Sequence, residues 1–199
     1  DGDVRSQYIG KPWETAEWIE SKRDEIYVSW LHELTSDLNV QISMSDNKHI
    51  QDSFYEGFTY DATNNMTFSD LRMNWSINED NLLTFGGDSR DEELRSKTNS
   101  DSPDFVSDSF DYDTVGVYLQ NTWTPNENLE LALALRYDKI EANFTDPSKL
   151  GTEIDDNVVS PRLDLRYTHN DQWTSRFSYG RGYRAPLSFF ESDHGILDG

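Results

Sequence analysis

The stretch "NLELALALRYD", residues 128–138, alternates apolar and polar positions with a period of two. Leu129, Leu131, Leu133, Leu135 and Tyr137 fall on one side; Glu130, Ala132, Ala134, Arg136 and Asp138 fall on the other. Successive side chains of a strand point to opposite faces, so the segment reads as a strand with one apolar face. Its second face carries charge, which a dry core tolerates poorly.

The same rhythm recurs in both directions. Upstream, "TVGVYLQNTW" aligns Val115, Val117, Leu119 and Trp123. Downstream, "SPRLDLRYTH" sets Leu163, Leu165 and Tyr167 against Arg162, Asp164 and Arg166, and "QWTSRFSYGR" sets Trp173, Phe177 and Tyr179 against Thr174, Arg176 and Ser178. Earlier, "LRMNWSI" (71–77) and "LNVQISM" (38–44) alternate in the same way. "EIYVSWLHEL" aligns Ile26, Val28, Trp30 and Leu34, with Tyr27 and Leu31 blurring its second face. "NLLTFGGD" (81–88) is the weakest, since two glycines depress strand propensity. Eight strands are predicted.

Their connections sort by length. "TSD" at 35–37, "NED" at 78–80, "PNEN" at 125–128 and "HNDQ" at 169–172 are short polar hairpin turns. Between them lie long acidic connections at 45–65, 90–111 and 140–157. Short turns on one side and long loops on the other are the pattern of a transmembrane β-barrel in the outer membrane of a Gram-negative bacterium, with periplasmic turns and extracellular loops. The fold class is therefore all-β, with antiparallel transmembrane barrel strands. Trp30, Trp75, Trp123 and Trp173 lie beside or near the short turns, where indole rings suit the headgroup girdle. Two alternatives share the alternation: a small eight-stranded surface barrel with an adhesive or structural role, and a soluble β-sandwich binding module.

Composition agrees with a barrel wall. Apolar residues make up 35% of the chain, mean hydropathy is -0.81 and net charge is -21, yet aromatic residues reach 13%. Zero cysteines exclude disulfides and thiolate metal sites. The acidity argues against nucleic acid as a partner. Residues 1–23 depart from the strand pattern. "KPWETAEWIESKR" suits a short helix after Pro12 with Trp13 and Trp18 partly buried, within an extracellular loop segment.

No enzymatic constellation and no cofactor motif is present. His32, His49, His169 and His194 lack metal-ligand spacing, and Gly180-Arg181-Gly182 precedes Pro186 rather than a helix. Residues 88–113 hold nine acids against three bases, and within them Asp101, Asp104 and Asp108 offer oxygen ligands to a hard cation such as calcium. Their spacing is not that of an EF-hand, and a solvated acidic loop is the simpler reading. The charges at Glu130, Arg136, Asp138, Arg162, Asp164, Arg166 and Arg176 are expected to face a lumen and pair across strands, Arg136 and Asp138 with Arg162, Asp164 and Arg166.

"VVSPRLDLRYTHNDQWTSRFSYGRGYRAP", residues 158–186, resembles the TonB-dependent outer-membrane receptors. The resemblance rests on Ser160-Pro161-Arg162, on Trp173 after the turn, and on Gly182-Tyr183-Arg184-Ala185-Pro186. It implies a section of a barrel of about 22 strands, with an N-terminal plug domain and the TonB complex as energy source. On that reading 24–184 carry the strands, 185–199 begin an extracellular loop, and the plug lies outside the chain. The implied cargo is a ferric siderophore or similar bulky chelate, and the implied neighbours are outer-membrane lipid and lipopolysaccharide. Tyr55, Phe58, Tyr60, Tyr183 and Arg184 are the expected ligand contacts near the long-loop rim.

Overall fold

The computed structural model describes residues 17–55, 58–99, 109–145 and 153–183. Eight strands follow in chain order: β1 (Glu17–Glu33), β2 (Leu38–Tyr55), β3 (Phe58–Asn78), β4 (Asn81–Thr98), β5 (Phe110–Asn126), β6 (Leu129–Phe144), β7 (Glu153–Asn170) and β8 (Trp173–Gly180). Each pairs antiparallel with the next, giving one sheet in the order β1 to β8. Among the described residues β1 and β8 are edges and do not pair with each other, so these eight strands form an open sheet and not a closed small barrel.

Four tight turns at one end fix the register, and each has a side chain that completes it. Thr35 Oγ1 accepts from the Leu38 amide at 3.1 Å. Asn78 Oδ1 accepts from Asp80 N at 3.0 Å, Asn126 Oδ1 from Asn128 N at 3.0 Å, and Asn170 Oδ1 from Gln172 N at 2.9 Å. These Asx and Ser/Thr turns give amides outside the ladder an acceptor, which is why the short polar turn sequences alternate regularly with strands.

Direct cross-strand partners share a face, so register assigns every side chain. One face carries Val28 and Trp30 of β1, Leu71 of β3, Val117 and Leu119 of β5, Leu133 and Leu135 of β6, and Phe177 and Tyr179 of β8. These residues are open to their surroundings: Val117 is 55% exposed, Leu133 54% and Tyr179 68%. Burying each such side chain is worth about 1.5–3 kcal/mol, and no second sheet covers them among the described residues. An apolar belt this continuous requires lipid, not water. Trp30, Trp75, Trp123 and Trp173 stand on this face toward the short-turn end, as a headgroup girdle requires.

The opposite face holds most of the buried residues. Tyr60, Ala62, Leu94, Phe110, Tyr112, Ile140, Ala142 and Val158 form one cluster at the end away from the short turns, with Phe144 and Ile154 packed against it. Phe110 and Phe144 meet edge-to-face at 6.3 Å.

Three sequence expectations are corrected. The described residues 17–23 are neither helix nor loop; they are the start of β1 and pair with β2, Arg23 opposite His49. The connection expected at 45–65 is almost entirely strand, with β2 and β3 paired up to Tyr55 and Phe58. The connections at 90–111 and 140–157 shrink likewise, because β4 reaches Thr98, β6 reaches Phe144 and β7 starts at Glu153. All three have one cause. Beyond the lipid belt the outer face carries polar side chains and the buried apolar residues lie on the inner face, so the strand continues without the belt's outward apolar pattern. The helix expectation at Trp13 and the cation ligands Asp101, Asp104 and Asp108 lie outside the described residues.

The extended strands also order the acids. Asp91, Asp113, Glu141 and Asp155 occupy one register row across β4 to β7, on the apolar belt's face but two residues beyond Val115. Lys139 pairs with Glu141, whereas Asp91 and Asp113 face each other with no ion pair of their own among the described residues. Like charges directly opposite destabilise a sheet by a few tenths of a kcal/mol. Asp113→Asn is therefore expected to stabilise the full-length protein by about 0.5 kcal/mol at low salt, an advantage that fades in molar salt through screening. Urea unfolding at two ionic strengths checks it; a salt-independent loss of stability would show that Asp113 has a favourable partner.

Candidate functional site on the charged face

Two glycines organise the centre of the charged face. Gly86 of β4 lies opposite Arg72 of β3 and Tyr118 of β5; Gly116 of β5 lies opposite Asp88 of β4 and Asp138 of β6. Neither has a side chain, so long neighbours lie flat across them. A Cβ on Gly86 would stand 2.7 Å from the Tyr118 hydroxyl, and one on Gly116 would stand 2.2 Å from Arg136 Nη2.

Arg136 uses the gap at Gly116 to reach two strands. Its Nη1 and Nη2 donate to the Asp88 carboxylate at 2.6 and 2.8 Å, and its Nε and Nη2 donate to Asp138 at 2.9 and 2.6 Å. The two carboxylates are nearly buried, with side chains 9% and 13% exposed. A guanidinium fork meeting two carboxylates is the strongest pairing geometry protein side chains offer. Tyr118 uses the gap at Gly86: its hydroxyl donates to Asp70 Oδ1 at 2.9 Å and accepts from Arg72 Nε at 3.3 Å. The Arg136 guanidinium stands 5.9 Å from the Tyr118 ring centroid, which joins both groups into one network from β3 to β6.

The expected cross-strand pairings are found in part. Arg166 pairs with Glu130 across β6 and β7 at 2.8 Å, and Arg162 pairs with Asp164 along its own strand at 2.6 Å. Arg136 and Asp138 do not meet Arg162, Asp164 or Arg166. Ala134 and Ser160 occupy the intervening register positions, and Asp88 lies closer through the glycine gap. Asp70, Asp88 and Tyr118 were not singled out in the sequence; for Asp88 and Tyr118 the glycines opposite them were the available signal.

Two hollows open on this face, of about 400 and 500 Å³. They share Phe68, Asp88, Arg136, Ser160 and Arg181. Just past β8 the Arg181 amide donates to the Pro161 carbonyl at 3.0 Å, the next step of the register after Gly180 opposite Arg162, and Arg181 lines both hollows. Tyr183 lines the smaller one together with Tyr112. Desolvation pushes the Tyr183 phenol above its ordinary range, so it is a neutral hydrogen-bond donor at neutral pH. Tyr60 is sealed in the apolar cluster at 2% exposure. Tyr55 and Phe58 are register partners at the closing end of the β2–β3 hairpin, and Arg184 lies outside the described residues. No group of His, Asp and Glu among the described residues is arranged to hold a metal ion.

An open antiparallel sheet with a lipid-seeking face and a hydrogen-bonded charged face is the wall of an outer-membrane β-barrel. The wall aligns with solved receptors of that kind. It superposes on the alcaligin outer membrane receptor FauA from Bordetella pertussis with TM-score 0.68 at 16% identity, over 82% of this chain and 29% of that one. The ferric citrate transporter FecA in its unliganded form gives 0.64 at 14% identity, over 89% and 30%. The copper transporter OprC gives 0.61 at 14%, over 77% and 29%. This chain therefore spans under a third of those structures' length. A sequence comparison with curated proteins finds no match. The family described as TonB dependent receptor-like, beta-barrel, matches residues 2–193, and the chain belongs to it. Members are outer-membrane proteins of Gram-negative bacteria, so the belt faces lipid and the charged face looks into the lumen.

Proposed function

We propose that the full-length protein imports a ferric siderophore or a similar bulky metal chelate, with energy delivered by the TonB complex through a plug domain. The eight strands form part of the wall of a barrel of about 22 strands. The observation that carries this reading is the lumen face itself. Its buried carboxylates are held by Arg136 and Tyr118, and it retains two hollows large enough for part of a chelate. The copper transporter and the ferric citrate transporter are named for a metal and a metal chelate, the receptor FauA for alcaligin, so the three differ in ligand.

On this reading the chelate is met at the extracellular end, by Tyr183 and Arg184 after β8 and by Tyr55 and Phe58 at the β2–β3 hairpin. Tyr183 has the strongest support, because it lines a hollow. Tyr60 contributes by packing, since its ring is sealed. The outer belt contacts membrane lipid, with lipopolysaccharide on the extracellular side. Deleting the gene is expected to abolish growth on at least one ferric chelate under iron limitation. Unimpaired growth and undiminished ⁵⁵Fe uptake across hydroxamate, catecholate and carboxylate chelates would rule the reading out.

A further inference from the structure

The smaller hollow has a feature the network below it lacks. Arg136 is saturated by two carboxylates, but Arg90 Nε and Thr114 Oγ1 are buried and have no hydrogen-bond partner. The two residues are directly opposite each other across β4 and β5, on the lumen face, and both line that hollow. Leaving a buried donor unpaired costs about 1–3 kcal/mol. Two such atoms side by side mark a place that lacks an acceptor.

The surroundings specify what kind. Arg90 sits over the Tyr112 ring at 5.6 Å, and its Nη2 is paired with Glu92. Glu92 is itself held by Asn64 at 2.7 Å, so this acid is committed and cannot swing round to serve Nε. Arg181, across the hollow, makes no ion pair among the described residues. The hollow is therefore bordered by an unpaired N–H, an unpaired hydroxyl and a guanidinium with no ion pair among the described residues. A neutral ligand would satisfy the first two and leave the charge.

The geometry points to a carboxylate seat: a carboxylate of the imported chelate accepts from Arg90 Nε and Thr114 Oγ1 and is neutralised by Arg181. This deepens the import reading and rests on it. The cargo class is then a metal chelate carrying free or weakly coordinating carboxylates, as hydroxycarboxylate chelates do, in preference to trihydroxamate or triscatecholate chelates that carry none. Tyr112 and Tyr183 supply ring surface and a phenol beside the seat.

The test uses the full-length protein in detergent and tryptophan-quenching titrations with ferric citrate, ferric malate, ferric tartrate, a ferric trihydroxamate and a ferric triscatecholate. Binding of at least one carboxylate chelate is expected. Thr114→Val, which keeps the shape and removes the hydroxyl, is expected to weaken that binding about tenfold, and Thr114→Ser to restore it. Arg90→Lys keeps a charge without Nε and should match Thr114→Val. Binding of only the trihydroxamate or triscatecholate overturns the seat and leaves the import reading standing. Binding of no chelate overturns the seat, and wild-type growth of the deletion strain would then overturn import as well. Should Thr114→Val lower the melting temperature while carboxylate binding stays unchanged, the seat serves a carboxylate from another segment of the protein and the proposal fails.

Discussion

Exchanging Arg136 for methionine is expected to destabilise the protein by about 3 kcal/mol, the cost of stranding buried charge. Asp88 and Asp138 face each other across Gly116, with side chains 9% and 13% exposed, and Arg136 supplies their ion pairs among the described residues. Methionine fills similar volume, so the loss reports charge and hydrogen bonds rather than a cavity. Arg136→Lys should recover little, because an ammonium cannot fork toward two carboxylates on different strands. Neutralising the acids as well, in the triple variant with Asp88→Asn and Asp138→Asn, should return most of the stability. Urea unfolding of the full-length protein in micelles measures all three. A loss below 1 kcal/mol for the methionine variant would mean that lumen water solvates both carboxylates without help.

The part of this wall that touches lipid was legible, because lipid imposes a rule on every second residue. Leu129 to Tyr137 and Val115 to Trp123 read as strands for that reason. Above the belt the rule lapses. Asp52 pairs with Asp61 and Gln51 with Ala62 in unbroken register, held by main-chain hydrogen bonds that leave no hydrophobic trace in the sequence. The polar "ESKRDE" of β1 looked like a loop on the same account.

The lumen site was legible as a set of charges but not as a set of pairs. Arg136 meets Asp88, 48 residues away, only because Gly116 has no side chain between them. Register across three strands decides that contact, and periodicity cannot supply it. Arg181 shows the same limit. It continues the lipid-facing parity of Trp173, Phe177 and Tyr179, yet the strand ends at Gly180 and the residue lines the lumen hollows. The buried, unpaired atoms of Arg90 and Thr114 left no sequence signal, since an absent partner has none.

The glycine pair that weakened β4 in the sequence leads to the largest expected effect. A Cβ on Gly86 would stand 2.1 Å from the Leu71 carbonyl oxygen and 2.7 Å from the Tyr118 hydroxyl. Tyr118 has a flexible side chain and can retreat, but Leu71 O belongs to the β3 main chain and moves only if the ladder moves. Gly86→Ala should therefore cost about 4 kcal/mol, at the severe end for single substitutions, and reduce the fraction that assembles in the membrane. Gly116→Ala should cost less, since its nearest neighbours are the Arg136 and Asp138 side-chain tips, which can shift at the expense of hydrogen bonds. Gly182→Ala, with nothing within 4 Å, should fall within about 0.5 kcal/mol of wild type. The three substitutions add the same methyl group, so their order isolates what lies opposite each glycine. Heat-modifiable migration in gels and urea midpoints give that order. If Gly86→Ala is as well tolerated as Gly182→Ala, the β3–β4 ladder is loose enough at this row to admit a side chain. Asp70 and Arg72 would then owe their positions to their own strand rather than to Tyr118 lying over Gly86.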